Sequence, residues 1–124
     1  MNRGILVALL AIAPLQLQAH HSVALNFFDE EITLVGTVRD VRWVNPHASF
    51  EFEVANDDGT VDRWVVELLA VVALQRRGFN FDAIQDGSQI EMTARVGYRD
   101  HTLLFTGALL PDGTIVTRTG APPE

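Results

Sequence analysis

The chain has 124 residues, with sixteen Asp or Glu, nine arginines, and neither lysine nor cysteine. If residues 1–19 are an export signal, 105 residues remain, which is one small domain and too few for a two-domain enzyme. This mature chain would carry eight arginines against sixteen carboxylates, a net charge of −8. We expect no nucleic-acid partner, because phosphate binding needs clustered cations. The lack of cysteine rules out disulfides, thiolate metal sites and cysteine nucleophiles.

The first segment has the pattern of an export signal. Asn2 and Arg3 precede an apolar run from Ile5 to Ala13, and Ala19 is the small residue expected before a cleavage site. Nine apolar residues are too few to cross a bilayer, which takes about 20. We therefore expect a signal peptide over 1–19, a periplasmic or secreted mature protein, and no membrane span after the signal is removed.

The rest of the chain is patterned mainly for strands. Apolar residues alternate with polar ones, most clearly where Phe50 and Phe52 alternate with Glu51 and Glu53. The predicted strands cover 32–44, 48–54, 60–68, 90–96, 103–110 and 114–117. Glycine-containing turns are predicted at 56–59, 86–87 and 111–113.

One short helix interrupts the strands between Leu69 and Arg77. Leu69, Val72, Ala73 and Arg76 would share one helical face. Gly78 can adopt the left-handed conformation that ends a helix. No Ser, Thr, Asp or Asn stands where the N-cap should be, so the sequence does not fix where this helix begins.

This order of elements predicts the fold. Three strands, one helix and then two or more strands are typical of a Greek-key barrel of OB type. We predict an all-β fold with one short helix, arranged as a small five- or six-stranded OB-like barrel over 32–119. Residues 20–31 would form an N-terminal arm laid on the barrel, and 120–124 a flexible tail. A split barrel or a small β-sandwich is the alternative.

Several short motifs together resemble those of one protein family. They are His20-His21-Ser22, Gly36-Thr37-Val38, Trp43-Val44-Asn45-Pro46-His47, Trp64-Val65-Val66-Glu67, and Leu74 followed by Arg76-Arg77-Gly78-Phe79. The string is similar to that of small exported bacterial proteins grouped only as a domain of unknown function. The resemblance covers nearly all of the mature chain. It implies an exported single-domain protein and supplies no activity.

The histidines suggest metal chemistry. If the signal is cut after Ala19, His20 becomes the first residue, and its α-amine and imidazole can chelate one ion in a six-membered ring. The amine has a pKa near ~7.7 and imidazole near ~6.5, so both can be neutral donors at ordinary pH. His21 is the next residue. A cut one bond earlier would begin the chain Ala19-His20-His21 and change the chelate to one using backbone amides.

Two loops of the predicted barrel contain further candidate ligands. His47 would lie between the first and second strands and His101 between the fourth and fifth, and these loops line the binding face of an OB barrel. Glu67, at the end of the third strand, could bind the ion or orient an imidazole. Nitrogen donors without thiolate favour copper(II), with nickel or zinc as alternatives. In the competing interpretation, these histidines are ordinary turn and surface residues.

Other motifs carry less chemistry. Asp57-Asp58-Gly59 reads as a hairpin turn, because a calcium loop would need a glutamate farther along. No nucleophile elbow or glycine-rich phosphate loop occurs.

The function expected is binding of a copper-type ion by an exported protein that is not an enzyme. One alternative is a non-catalytic module that binds another envelope protein through an edge strand or the barrel face. Another is an enzyme with oxidative chemistry at an N-terminal copper, against which stands the lack of any paired acid, base or nucleophile.

Overall fold

The structure is a computed structural model, and it describes residues 26–120. Its elements in chain order are β1 (Phe27–Arg42), β2 (Ser49–Ala55), β3 (Val61–Glu67), α1 (Val71–Arg76), a 3-10 turn (Phe81–Ala83), β4 (Gln89–Gly97), β5 (Thr102–Leu109) and β6 (Ile115–Thr117). The predicted signal and the last four residues lie outside the described range. Within that range, no helix is long and apolar enough to span a membrane.

The six strands form one sheet in the order β3-β2-β1-β4-β5-β6. Consecutive neighbours in this order are antiparallel. A short parallel pairing between β3 and β5 joins Val65 to Thr102 and Glu67 to Leu104. Because this pairing connects strands from distant parts of the order, it closes the sheet into a ring. The predicted all-β fold, with one short helix and a barrel-like ring of strands, is confirmed.

The core is built by the alternation that the sequence displays. Phe50 and Phe52 are 1% and 0% exposed, whereas the intervening glutamates lie on the outer face. Phe105 packs edge-on against Phe50 and Phe79, with ring centroids 6.3 and 6.1 Å apart. Such edge-to-face pairs add to the free energy gained from apolar burial. These aromatic residues are therefore core residues and not a stacking platform for a ligand.

Strand β1 begins at Phe27, five residues before the predicted start at Ile32. Phe27 pairs with Gly97 and Glu31 pairs with Arg95, with an irregularity in register between the two pairs. This irregularity breaks the period of two. Because residues 28–31 are all exposed, no buried side chain marks them as strand. Residues 27–31, expected in the arm, are thus the first part of the strand.

The helix presents a different face from the one predicted. Leu74 is fully buried and Val71 packs against the core, whereas Val72 is 47% exposed. No side chain caps the helix at its start, but the side-chain oxygen of Asn45 lies 3.4 Å from the backbone nitrogen of Val72. Gly78 ends the helix at φ 71°, as predicted. The predicted face was wrong because it included Leu69, which lies before the helix and so does not indicate which helical face is buried.

The hairpin between β2 and β3 is the predicted turn. Gly59 has φ 86° and donates its N–H to the carbonyl of Asn56, at 3.0 Å. The carboxylate of Asp58 accepts hydrogen bonds from the hydroxyl and the backbone N–H of Thr60. The two Asp residues therefore belong to a turn, and the carboxylate of Asp58 stabilises it by local hydrogen bonding.

Candidate metal-binding site

His47 lies in the loop that connects β1 to β2, just before the β2–β3 ladder. This loop contains a cis peptide bond between Asn45 and Pro46. The next residue, Ala48, donates to the carbonyl of Leu69 at 3.2 Å and accepts from the N–H of Leu68 at 2.8 Å. The first pair of the ladder then joins Ser49 to Glu67. These contacts fix the backbone of His47 beside the end of β3, where Glu67 is located.

His47 and Glu67 line one depression at this end of the barrel, which we call the His47 depression. Its volume is about 520 Å³, and its lining residues are Asn26, Phe27, His47, Glu67, Tyr98, Arg99 and Thr102. A smaller cavity of about 50 Å³ adjoins it and shares Asn26, Phe27, His47 and Glu67. His47 is exposed and Glu67 is half-buried. The depression therefore brings together two predicted ligands and the first described residues of the chain.

His101 does not line this depression. Its ring lies 5.1 Å from the ring of Trp64, tilted by 35°, and its Nδ1 lies 3.1 Å from a carboxylate oxygen of Asp100. The backbone of His101 has a positive φ of 52°, and its carbonyl accepts the N–H of Val65 at 2.9 Å. The ring is thus placed against an indole and a neighbouring carboxylate, apart from His47.

Five of the lining residues were not predicted as part of the site, and besides Asn26 and Phe27 three of them come from one later part of the chain. These three are Tyr98 and Arg99 in the loop after β4, and Thr102 at the start of β5. A guanidinium nitrogen of Arg99 lies 3.6 Å from a carboxylate oxygen of Glu67. The buried Thr102 donates its hydroxyl to the carbonyl of Arg99, at 2.5 Å. The β4–β5 loop was identified from the sequence for its histidine alone, and its arginine is the residue that reaches Glu67.

Two of the five predicted ligands are therefore brought together and one is placed apart. The other two, His20 and His21, lie outside the described residues. Across residues 26–120, no group of three or more His, Asp or Glu side chains is arranged to hold a metal ion. His47 and Glu67 alone are thus an incomplete donor set, and a bound ion would need donors from elsewhere in the chain.

The fold and the depression define a small barrel-like β-domain with a histidine and a glutamate at one end. The chain belongs to a family of unknown function, DUF6152, which matches residues 8–103. This confirms the resemblance to a domain of unknown function. The matched range includes all five predicted ligands and ends near the start of β5. No curated protein and no solved structure gives a significant match to the chain.

Proposed function

We propose that this is an exported, non-catalytic protein that binds a copper(II)-type metal ion in the periplasm or outside the cell. Signal cleavage after Ala19 would expose His20, whose amine and imidazole form the primary chelate. His47 provides a further nitrogen donor from the barrel, and nickel and zinc bind the same donors more weakly. The ion is the ligand of the protein and takes part in no reaction.

The observation that carries this proposal is where the chain enters the barrel. Asn26 and Phe27 line the same depression as His47 and Glu67. His20 is six residues before Asn26, and six extended residues span at most about 20 Å. A ligand at the new N-terminus can therefore reach His47 without passing around the barrel.

The number of donors also supports an N-terminal contribution. Among the described residues, those that line this depression include His47 and Glu67 but no third His, Asp or Glu. Two nitrogens of His20 together with His47 make three donors, and His21 or Glu67 would complete four. Because neutral amine and imidazole nitrogens favour late transition metals over calcium or magnesium, this set selects copper first. His101 has no part in the set, since it packs against Trp64.

Calorimetry on correctly processed protein tests the proposal. Mature protein beginning at His20, verified by mass spectrometry, should bind one equivalent of copper(II) more tightly than nickel(II) or zinc(II). Acetylation of the N-terminal amine removes one nitrogen from the chelate ring and leaves the imidazoles intact, and because the chain has no lysine it modifies no other amine. We expect the copper affinity of the acetylated protein to fall at least tenfold, with no change in thermal unfolding. Equal affinity of the two proteins would contradict the N-terminal chelate.

A second pair of variants tests the contribution of the barrel. His47→Ala should weaken copper binding, and because His47 is exposed the fold should be unaffected. His101→Ala is the matched control, because it removes the other histidine of the barrel without touching the depression. If the two variants weaken binding equally, or neither does, the assigned position of the ion is wrong.

A further inference from the structure

A row of exposed side chains crosses four strands on the outer face of the sheet. Val35 of β1 pairs with Glu91 of β4, and Glu91 pairs with Leu109 of β5. Leu109 in turn pairs with Ile115 of β6. The apolar members Val35, Leu109 and Ile115 are 66%, 43% and 50% exposed. One carboxylate thus lies between Val35 and Leu109, with Ile115 on the far side of Leu109, and we call this surface the Glu91 face.

Two shallow depressions flank the centre of this face. They have volumes of about 330 and 360 Å³, and both are lined by Glu91 and Leu109. In the first, Gly107 lies between Thr93 and Thr117 in the register of the sheet. Because glycine has no side chain, the floor is open there. The second depression lies beyond Leu109, beside Val35 and Pro111. The face can therefore accept two side chains of a binding partner, one on each side of its centre.

The charged side chains of the Glu91 face determine which kind of partner can bind over it. The only ionisable side chains that line the two depressions are Glu31 and Glu91. Neither Glu31 nor Glu91 takes part in the ion pairs among residues 26–120, and Arg95, the register partner of Glu31, is paired with Asp29. Any occupant that covers the three apolar side chains also covers Glu91. Burying an ionised carboxylate without a cation costs several kcal/mol, so the occupant must provide one.

We propose that the Glu91 face binds a peptide segment of another protein that carries a lysine or arginine between apolar side chains. Its apolar side chains would enter the two depressions, and its cation would pair with Glu91. A second copy of this chain fits poorly, because a symmetric contact would bring two Glu91 carboxylates together.

This surface is separate from the His47 depression. The Glu91 face uses the first residues of β4 and the last residues of β5, whereas the His47 depression lies at the other ends of these strands. Leu109 and Ile115 also fall beyond the range that the family matches. Peptide binding at the Glu91 face therefore depends on neither the metal proposal nor the N-terminal segment.

Titration of isotope-labelled mature protein with defined peptides tests the inference by NMR. The probe is a capped hexapeptide of alternating valine and lysine, and its counterpart has glutamate in place of lysine. We expect saturable shift changes at the amides around Leu109 and Ile115 with the lysine peptide only. Glu91→Lys should reverse this preference by at least tenfold in affinity. Leu109→Arg should abolish binding, whereas Val65→Arg, at an equally exposed apolar position on β3, should not.

Three results would overturn the inference. The first is the absence of saturable changes at the Glu91 face with the lysine peptide. The second is binding that Glu91→Lys leaves unchanged. The third is concentration-dependent self-association in analytical ultracentrifugation that Leu109→Arg removes, because this would assign the face to a second copy of the chain.

Discussion

The guanidinium of Arg99 lies 3.6 Å from the carboxylate of Glu67, at the edge of the His47 depression. The two side chains are 76% and 32% exposed, so their attraction contributes little to folding, typically less than about 1 kcal/mol. The ion pair matters more for binding of the proposed metal ion than for folding. The pair places a permanent positive charge beside the proposed ion and engages the carboxylate that could help to hold it.

Removing this positive charge should strengthen metal binding. A divalent ion about 6 Å from a guanidinium in a water-like dielectric is repelled by roughly 1.4 kcal/mol, which corresponds to about tenfold in affinity. We therefore expect Arg99→Gln to raise the copper affinity by up to about tenfold and Glu67→Gln to lower it. Calorimetry at low ionic strength measures both changes.

The matched control for Arg99 is Arg63→Gln. Arg63 is also exposed and also paired with a glutamate, Glu53, but it does not line the depression. Its replacement should leave copper affinity nearly unchanged. If Arg99→Gln and Glu67→Gln shift the affinity in the same direction, the ion does not sit between the His47 loop and these two side chains.

Acidification should release the ion from the N-terminal chelate. The amine and imidazole of His20 bind metal only when neutral, and their ordinary pKa values are near ~7.7 and ~6.5. Copper affinity should therefore fall steeply below pH about 6, because protons compete for both nitrogens. Calorimetry between pH 5 and 8 measures this dependence. Affinity that is flat across this range would point to carboxylate ligands in place of the amine.

The sequence predicts which strand residues are buried, because the alternation of apolar and polar residues depends only on neighbouring positions in the chain. Phe50 and Phe52 alternate with two glutamates and are buried where the pattern predicts. The start of β1 could not be read in this way, because residues 28–31 are all exposed and the register shifts there. The prediction of the helix face was wrong because it counted Leu69, which lies before the first helical residue Val71, as part of the helical period.

The candidate site could be predicted only in part, because it depends on contacts between distant segments. His47 and Glu67 were both identified from their positions at strand ends, and the β2–β3 ladder does bring those ends together. The contact between His101 and Trp64, and that between Arg99 and Glu67, both depend on how β5 returns beside β3. No residue pattern within either segment specifies such a pairing.

Gly36 should be required by the packing between β1 and β2. A methyl group at this position would lie 2.9 Å from the ring of Phe52 and would meet the backbone carbonyl of Glu53 even more closely. Because backbone cannot move aside as a flexible side chain can, Gly36→Ala should destabilise the fold by about 1–3 kcal/mol. Urea unfolding measures this loss.

A variant of the neighbouring residue isolates the steric cause. Val35 is on the same strand but is 66% exposed, so Val35→Ala should change the free energy of unfolding by less than about 0.5 kcal/mol. Equal effects of the two variants would mean that the approach of β2 to β1 at Gly36 is looser than described.

The turn between β2 and β3 should make stability depend on pH through Asp58. Its carboxylate accepts hydrogen bonds from the hydroxyl of Thr60 at 2.6 Å and from the backbone N–H of Thr60 at 2.9 Å. These bonds, the hydroxyl first, lower the pKa of Asp58 below its ordinary value. Because the folded-state pKa is the lower one, the stabilisation is present above the unfolded value of about 3.9 and is lost as the pH falls through the folded-state pKa. Asp58→Ala should therefore lower the urea midpoint at pH 6 and lower it less at pH 2.

Asp57→Ala is the control for this effect, because it removes a carboxylate from the same turn without removing the two hydrogen bonds to Thr60. Its effect on the urea midpoint should be smaller than that of Asp58→Ala at pH 6. An NMR titration of the Asp58 carboxyl gives the folded-state pKa directly. If that pKa is at or above the unfolded value, or if Asp57→Ala destabilises as much as Asp58→Ala, the hydrogen bonds of Thr60 do not favour the ionised form.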